Sequence, residues 1–151
     1  MRIRVEGQHP LSGAYRPSGN VNAALALLAA SLLTDQPVTL RNVPRTRTFD
    51  ALAALAERLG AHMTWAAADT LRVETPTLLK RVLTTEDTQS SVGSILFVAP
   101  LLLHRRHVRF EVDFPLNRIR THLEALRDLG LDVLNSDGAV ECKAETWQER
   151  Q

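Results

Sequence analysis

The sequence is poor in several things, and each scarcity narrows its reading. A single cysteine, Cys142, among 151 residues leaves no disulfide framework and no cysteine-based zinc site. Lysine and arginine number 18 against 17 aspartate and glutamate, a formal charge of +1. That balance gives no electrostatic case for nucleic acid or an anionic membrane as the main partner. The longest apolar stretch, around Val21–Leu33, is broken by Asn22 and Ser31 and is too short to span a bilayer. Met1-Arg-Ile-Arg-Val holds no apolar signal core. His9, His62 and His122 are scattered without ligand spacing, so neither a metal site nor a cofactor is expected. What is present is ordinary: 44% hydrophobic and 23% charged residues, the balance of a soluble globular protein. The expectation is one cytoplasmic domain over 1–151, long enough to bury a real core.

An internal repeat organises the chain. A shift of 70 positions brings Ala29 onto Ala99, Val38 onto Val108 and Leu59-Gly60 onto Leu129-Gly130. Apolar character agrees between these identities, as at Leu25 with Ile95, Leu40 with Phe110 and Met63 with Val133. After a one-residue slip, Leu71 and Val73 meet Val140 and Cys142. Two copies of one unit follow, over 18–75 and 88–144, each reading helix, strand, helix and two short strands.

In the first copy Val21–Leu33 is rich in the strong helix formers Ala and Leu, with Ser18 or Asn20 placed to cap it. Val38 and Leu40 alternate as a strand. Phe49, Leu52, Ala53, Ala56 and Leu59 follow a helical period, and Gly60 sits where a carboxyl-terminal cap belongs. Met63/Trp65 and Leu71/Val73 give two strands. The second copy predicts a helix from about Ser91 to Leu103, a strand over His107–Val112 and a helix from Asn117 to Leu129. A hairpin turned by Ser136-Asp-Gly138 closes it. Ile3/Val5 and Leu11 to Tyr15 predict two amino-terminal strands over 1–17. Val21–Leu33 and Ser94–Leu103 are apolar nearly all round, the mark of buried helices, whereas Ala51–Leu59 and Thr121–Leu129 are amphipathic. Buried helices inside, with strands and amphipathic helices outside, invert the usual α/β layering.

The segments Ile3-Arg-Val-Glu-Gly7, Ser18-Gly-Asn-Val-Asn-Ala-Ala-Leu25, Pro37-Val-Thr-Leu-Arg-Asn-Val-Pro44, Leu55-Ala-Glu-Arg-Leu-Gly-Ala61 and Leu126-Arg-Asp-Leu-Gly130 resemble the enolpyruvyl transferase family. The likeness is to its UDP-sugar branch, which serves peptidoglycan precursor synthesis. The resemblance covers essentially the whole chain, but family members are almost three times as long. It implies an α/β fold of repeated units, of the inside-out α/β barrel type, and a chain holding two units of one domain. The implied reaction is carboxyvinyl transfer from phosphoenolpyruvate to a UDP-sugar hydroxyl. Such chemistry needs cations for phosphate and carboxylate, a general acid and a closed, water-poor cleft.

The same resemblance places a phosphoenolpyruvate-binding Lys at Val21 and a phosphoenolpyruvate-gripping Arg at Val92. The catalytic loop should fall near Glu111–Arg120, which holds no cysteine and has Asn117 at a further Arg position. Charge-assisted hydrogen bonds contribute about 1.5–3 kcal/mol each, so two lost cations argue for no catalytic residues at all. Asn22 matches the family residue that contacts the sugar nucleotide, though a local cap is the plainer reading. Ser18, Gly19 and Asn20, at a helix amino end, could hold a phosphate or a UDP-sugar. Arg118 and Arg120 could replace the lost Arg, or serve only as surface charges. His104-Arg-Arg-His-Val-Arg109 lacks interleaved aromatics and reads as a solvated turn. Cys142 reads as a small core residue.

The leading expectation is a catalytically silent binding or assembly module. Its alternative is a component of a transferase whose site a second chain completes. With two units present, part of the apolar helix surface would face nothing, so a homo-oligomer, most simply a dimer, is expected.

Overall fold

The computed structural model describes residues 2–10, 12–89, 91–136 and 138–144. Its first regular element is α1 (Val21–Ser31). Asn20 caps this helix, its side-chain oxygen accepting from the Ala23 N–H at 3.0 Å. β1 (Val38–Leu40) and α2 (Arg47–Leu59) follow. Thr46 caps α2 by accepting from the Phe49 N–H, and Gly60 ends it in the left-handed region at φ 113°. A β-carbon on Gly60 would also lie 2.4 Å from the Thr77 carbonyl oxygen. Only glycine fits there. β2 (His62–Ala67) and β3 (Thr70–Glu74) form a hairpin, and β3 is the central strand of an antiparallel sheet ordered β1-β3-β2.

The remainder runs through β4 (Val82–Leu83), α3 (Thr85–Thr88), a 3-10 turn over Val92–Phe97, α4 (Val98–Arg105) and β5 (His107–Glu111). A second 3-10 turn, Leu116–Ile119, leads into α5 (Arg120–Asp128), and β6 (Asp132–Ser136) pairs with β7 (Ala139–Lys143). The second sheet is ordered β4-β5-β7-β6, with β4 parallel to β5 and the other pairs antiparallel. One core joins the whole. Phe49, Leu52 and Leu59 of α2 belong to it together with Leu28 of α1, Leu101 of α4 and Phe110 of β5, all but fully buried. Burying each such side chain contributes roughly 1.5–3 kcal/mol. Cys142 belongs to this core, and burial pushes its thiol up to about 11, which keeps it neutral and unreactive.

A buried carboxylate ties the two halves together. Asp87, 3% exposed, lies 3.0 Å from the Lys80 ammonium and 3.1 Å from the Arg58 guanidinium. It also accepts from the N–H and the hydroxyl of Thr84, so the charge is fully answered. The Thr-x-x-Asp spacing is a capping box for α3.

Four expectations need correction. Residues 2–10 and 12–20 form no strand; Ile3 and Val5 are 76% and 85% exposed. A strand needs a neighbour to take its backbone hydrogen bonds, and nothing in the described residues offers one; Leu11 lies outside them. The helix expected over Ser91–Leu103 is instead a 3-10 turn followed by α4. Pro100 explains the break, because it has no N–H to donate and its ring would crowd the carbonyl of Leu96. It is tolerated in the first turn of α4, where N–H groups have no helical partner. Third, the 21–33 segment is not buried all round: Ala23, Ala26, Leu27 and Ala30 of α1, and Leu33 beyond its end, are exposed. Fourth, the His104–Arg109 turn is not simply solvated. The Arg105 guanidinium donates to the Leu78 carbonyl, the His104 ring lies 3.2 Å from the Leu32 carbonyl, and Arg109 bridges Glu111 and Glu141.

Candidate functional site

α1, the start of α2, the 92–97 turn and α5 converge on a cleft of about 490 Å³. Its apolar wall is Leu25, Ala26, Val92, Ile95 and Leu96, and its polar groups are Asn22, Thr48, Ser91 and His122. Among the described residues, no Lys, Arg, Asp or Glu lines it. The turn holding Val92 is tightly built. The Ser91 hydroxyl accepts from the Gly93 N–H at 3.1 Å, and a β-carbon on Gly93 would crowd Leu52 at 3.3 Å. A pocket of this make-up can enclose an uncharged or weakly polar group. It supplies no fixed cation for a phosphate or carboxylate.

Asn22 and Val92 therefore share one cleft, although 69 residues separate them in the chain. Asn22 is not the cap of α1; Asn20 is. Val21 is partly buried against the core and does not line the cleft. Ser18, Gly19 and Asn20 do not form one phosphate loop. Ser18 lines a groove with Arg16 and Arg45, whereas Gly19 and Asn20 line another, of about 210 Å³, with Arg41 and Leu27. The Asn20 side chain is already engaged in capping. Arg118 and Arg120 are exposed and outside the cleft; the Arg120 Nε sits 3.6 Å from Glu124, one helical turn on. Among the described residues no three His, Cys, Asp or Glu side chains gather as a metal site, and no helix is long and apolar enough to cross a membrane.

Thr48, Ser91 and His122 escape a reading of the sequence because no motif connects them. Only the tertiary packing of α1, α2, the 92–97 turn and α5 brings them to one cleft. Trp65 has partners invisible in sequence as well: its ring meets Phe49 edge-on at 6.2 Å, and the Arg45 guanidinium stacks 4.0 Å above it. Trp147 lies outside the described residues.

The fold is that of an enolpyruvyl transferase. The enolpyruvyl transferase NikO from Streptomyces tendae superposes with a TM-score of 0.77 at 24% identity, over 91% of this chain and 31% of that one. The chain belongs to the EPSP synthase family, matching EPSP synthase (3-phosphoshikimate 1-carboxyvinyltransferase) over residues 5–149. Among curated relatives, the UDP-N-acetylglucosamine 1-carboxyvinyltransferase of Bradyrhizobium diazoefficiens is 39% identical over 137 residues, 88% of this chain and 32% of that protein. The protein of the same description from Helicobacter pylori (strain HPAG1) is 32% identical over 148 residues, 94% of this chain and 35% of its own. The chain thus spans about a third of the length of the relatives it matches.

Proposed function

We propose that this chain is a catalytically silent piece of enolpyruvyl transferase scaffold that acts in the cytoplasm as a binding or assembly module. The observation that carries the reading is the cleft shared by Asn22 and Val92, which no lysine or arginine among the described residues lines. Phosphoenolpyruvate carries a phosphate and a carboxylate, and its transfer needs cations where charge develops. Each missing charge-assisted contact forfeits about 1.5–3 kcal/mol of binding.

The scaffold is read as two copies of one unit, over 18–75 and 88–144, in the inside-out barrel arrangement. Strand register supports the duplication. Val38 pairs with Val73 and Leu40 with Leu71 in one sheet; Val108 pairs with Cys142 and Phe110 with Val140 in the other. These are the partners that a 70-residue offset, with its one-residue slip, brings into correspondence.

Calorimetric titration with UDP-N-acetylglucosamine, then with phosphoenolpyruvate, tests the proposal. No saturable heat with phosphoenolpyruvate is expected, with or without the sugar nucleotide. Tight phosphoenolpyruvate binding would remove the basis of the silent reading. A second reading, a transferase component completed by another polypeptide, draws on the unpaired, exposed segment at Ile3 and Val5 and on the open face of α1. Turnover that appears only on mixing with a chain carrying the remaining domain would select it.

A further inference from the structure

We infer that the groove between residues 15–18 and the turn after β1 is a binding site for a small phosphate-bearing anion, separate from the Asn22 cleft. The groove, of about 400 Å³, is lined by Tyr15, Arg16 and Ser18 from the lead-in to α1, by Asn42 and Arg45 from the turn after β1, and by Asp69. Arg45 is pre-positioned. Its guanidinium lies 4.0 Å over the Trp65 ring, and Trp65 is itself braced edge-on by the buried Phe49. Stacking fixes the plane of the fork and leaves its edge N–H groups free to donate. Its one ion-pair contact among the described residues, to Asp50, is 4.0 Å long between half-exposed side chains, too long for a hydrogen bond. Arg16, which lines the same groove, has no ion-pair or hydrogen-bond partner among the described residues. Two arginines lining one concavity suit the bidentate, charge-assisted recognition of phosphate.

The carboxylate in the lining, Asp69, is half-buried and accepts from the Thr70 hydroxyl. Arg41 and Arg47, both exposed on the same 41–47 segment, keep the surroundings cationic despite Asp69 and Asp50. The Ser18 hydroxyl and the Asn42 amide add neutral donors at the wall. The ligand class is therefore a compact phosphate or phosphomonoester.

The test is an NMR titration of the whole chain with inorganic phosphate and with glycerol phosphate, against chloride at matched ionic strength and against glycerol. Saturable shifts are expected at the Arg16 and Arg45 Nε–H signals and the Ser18 and Asn42 amides, for both phosphates and for neither control. Arg16→Ala and Arg45→Ala should each weaken binding at least tenfold, and Arg45→Lys nearly as much, since an ammonium cannot present a planar fork. Arg81→Ala, exposed and outside the groove, should leave affinity unchanged. All of these positions are exposed, and an unchanged amide spectrum elsewhere verifies the fold. Non-saturating shifts, shifts spread evenly over all arginines, or full affinity in Arg45→Ala would each overturn the site.

Discussion

Gly19 packs against Asn42 so closely that a β-carbon on Gly19 would lie 1.8 Å from the Asn42 carbonyl oxygen. Asn42 itself sits at φ 57°, and the next residue, Val43, donates its N–H to the Asp69 carbonyl at 2.8 Å. The lead-in to α1 and the turn after β1 are thus locked by backbone, with no room for any side chain at Gly19. The glycine that a phosphate-loop reading assigns to ligand approach is occupied by the protein's own carbonyl.

Gly19→Ala should therefore destabilise the fold, because backbone atoms must move to admit the methyl group. Overpacking costs about 1–3 kcal/mol, and the obstacle here is a carbonyl rather than a flexible side chain. The urea midpoint should fall with an unchanged slope. A midpoint equal to wild type would show that the lead-in shifts freely and that the close approach is not structural.

Asp87 gives the fold an acid-sensitive joint. Burial alone would raise its pKa, but hydrogen bonds from Lys80, Arg58 and the Thr84 backbone outweigh that and hold it below the usual 3.8. A carboxylate depressed in the folded state contributes stability that is fully present above its unfolded pKa, near 4. That contribution is lost as pH falls through the depressed folded value. Asp87→Asn should cost about 2–3 kcal/mol near neutral pH, the value of hydrogen bonds to a charged group, discounted because Lys80 and Arg58 are partly solvated. Its stability should then be flatter with pH below 4. Parallel acid unfolding curves for wild type and Asp87→Asn would show that the joint carries no linkage.

Much of this architecture was legible in the sequence. The alternation of Val38 and Leu40, the helical period ending at Gly60 and the hairpin of β6 and β7 were each declared by the sequence, although Asp137 of the expected turn lies outside the described residues. What escaped depends on partners distant in the chain. Ile3 and Val5 alternate like a strand, yet no described strand borders them. Pro100 divides a helix that composition alone runs straight through. The Thr84–Asp87 box was readable as a helix start, but four residues of α3 carry too weak a period to draw attention. At the candidate site, Asn22 and Val92 can be marked by family resemblance. Thr48, Ser91 and His122 join them only through tertiary packing.

On chemistry, no phosphate release is expected from phosphoenolpyruvate and UDP-N-acetylglucosamine with this chain alone. Val92→Arg would put a guanidinium in the cleft beside Asn22, and Val21→Lys would add an ammonium at the start of α1. Neither change supplies a general acid or closes the cleft against water. Both variants, singly and together, should remain inactive, although Val92→Arg should gain measurable affinity for phosphoenolpyruvate. Release above a no-protein blank in the wild type, abolished by Asn22→Ala, would overturn the silent assignment.

On assembly, the open face of α1 predicts a homodimer. Leu27 and Leu33 are 54% and 43% exposed, and Leu103, at the end of α4, is 44% exposed. The His104 contact to the Leu32 carbonyl joins the ends of the two helices, so Leu33 and Leu103 belong to one end of a single apolar stripe, with Ala23, Ala26 and Ala30 further along. The amino-terminal segment does not cover it, since residues 2–10 and 12–18 are themselves exposed. Burying a large apolar side chain is worth roughly 1.5–3 kcal/mol, so three half-wet leucines forfeit a sizeable part of a domain's stability of about 5–15 kcal/mol. Patches of this kind are normally covered by a partner, and a two-fold symmetric copy is the commonest cover. Light scattering after size exclusion at micromolar concentration should give the mass of two chains. Leu27→Glu should give the mass of one, with unchanged far-ultraviolet circular dichroism because the side chain points away from the core. A wild-type monomer that binds no hydrophobic dye would show that the stripe needs no partner, and the dimer would have to be abandoned.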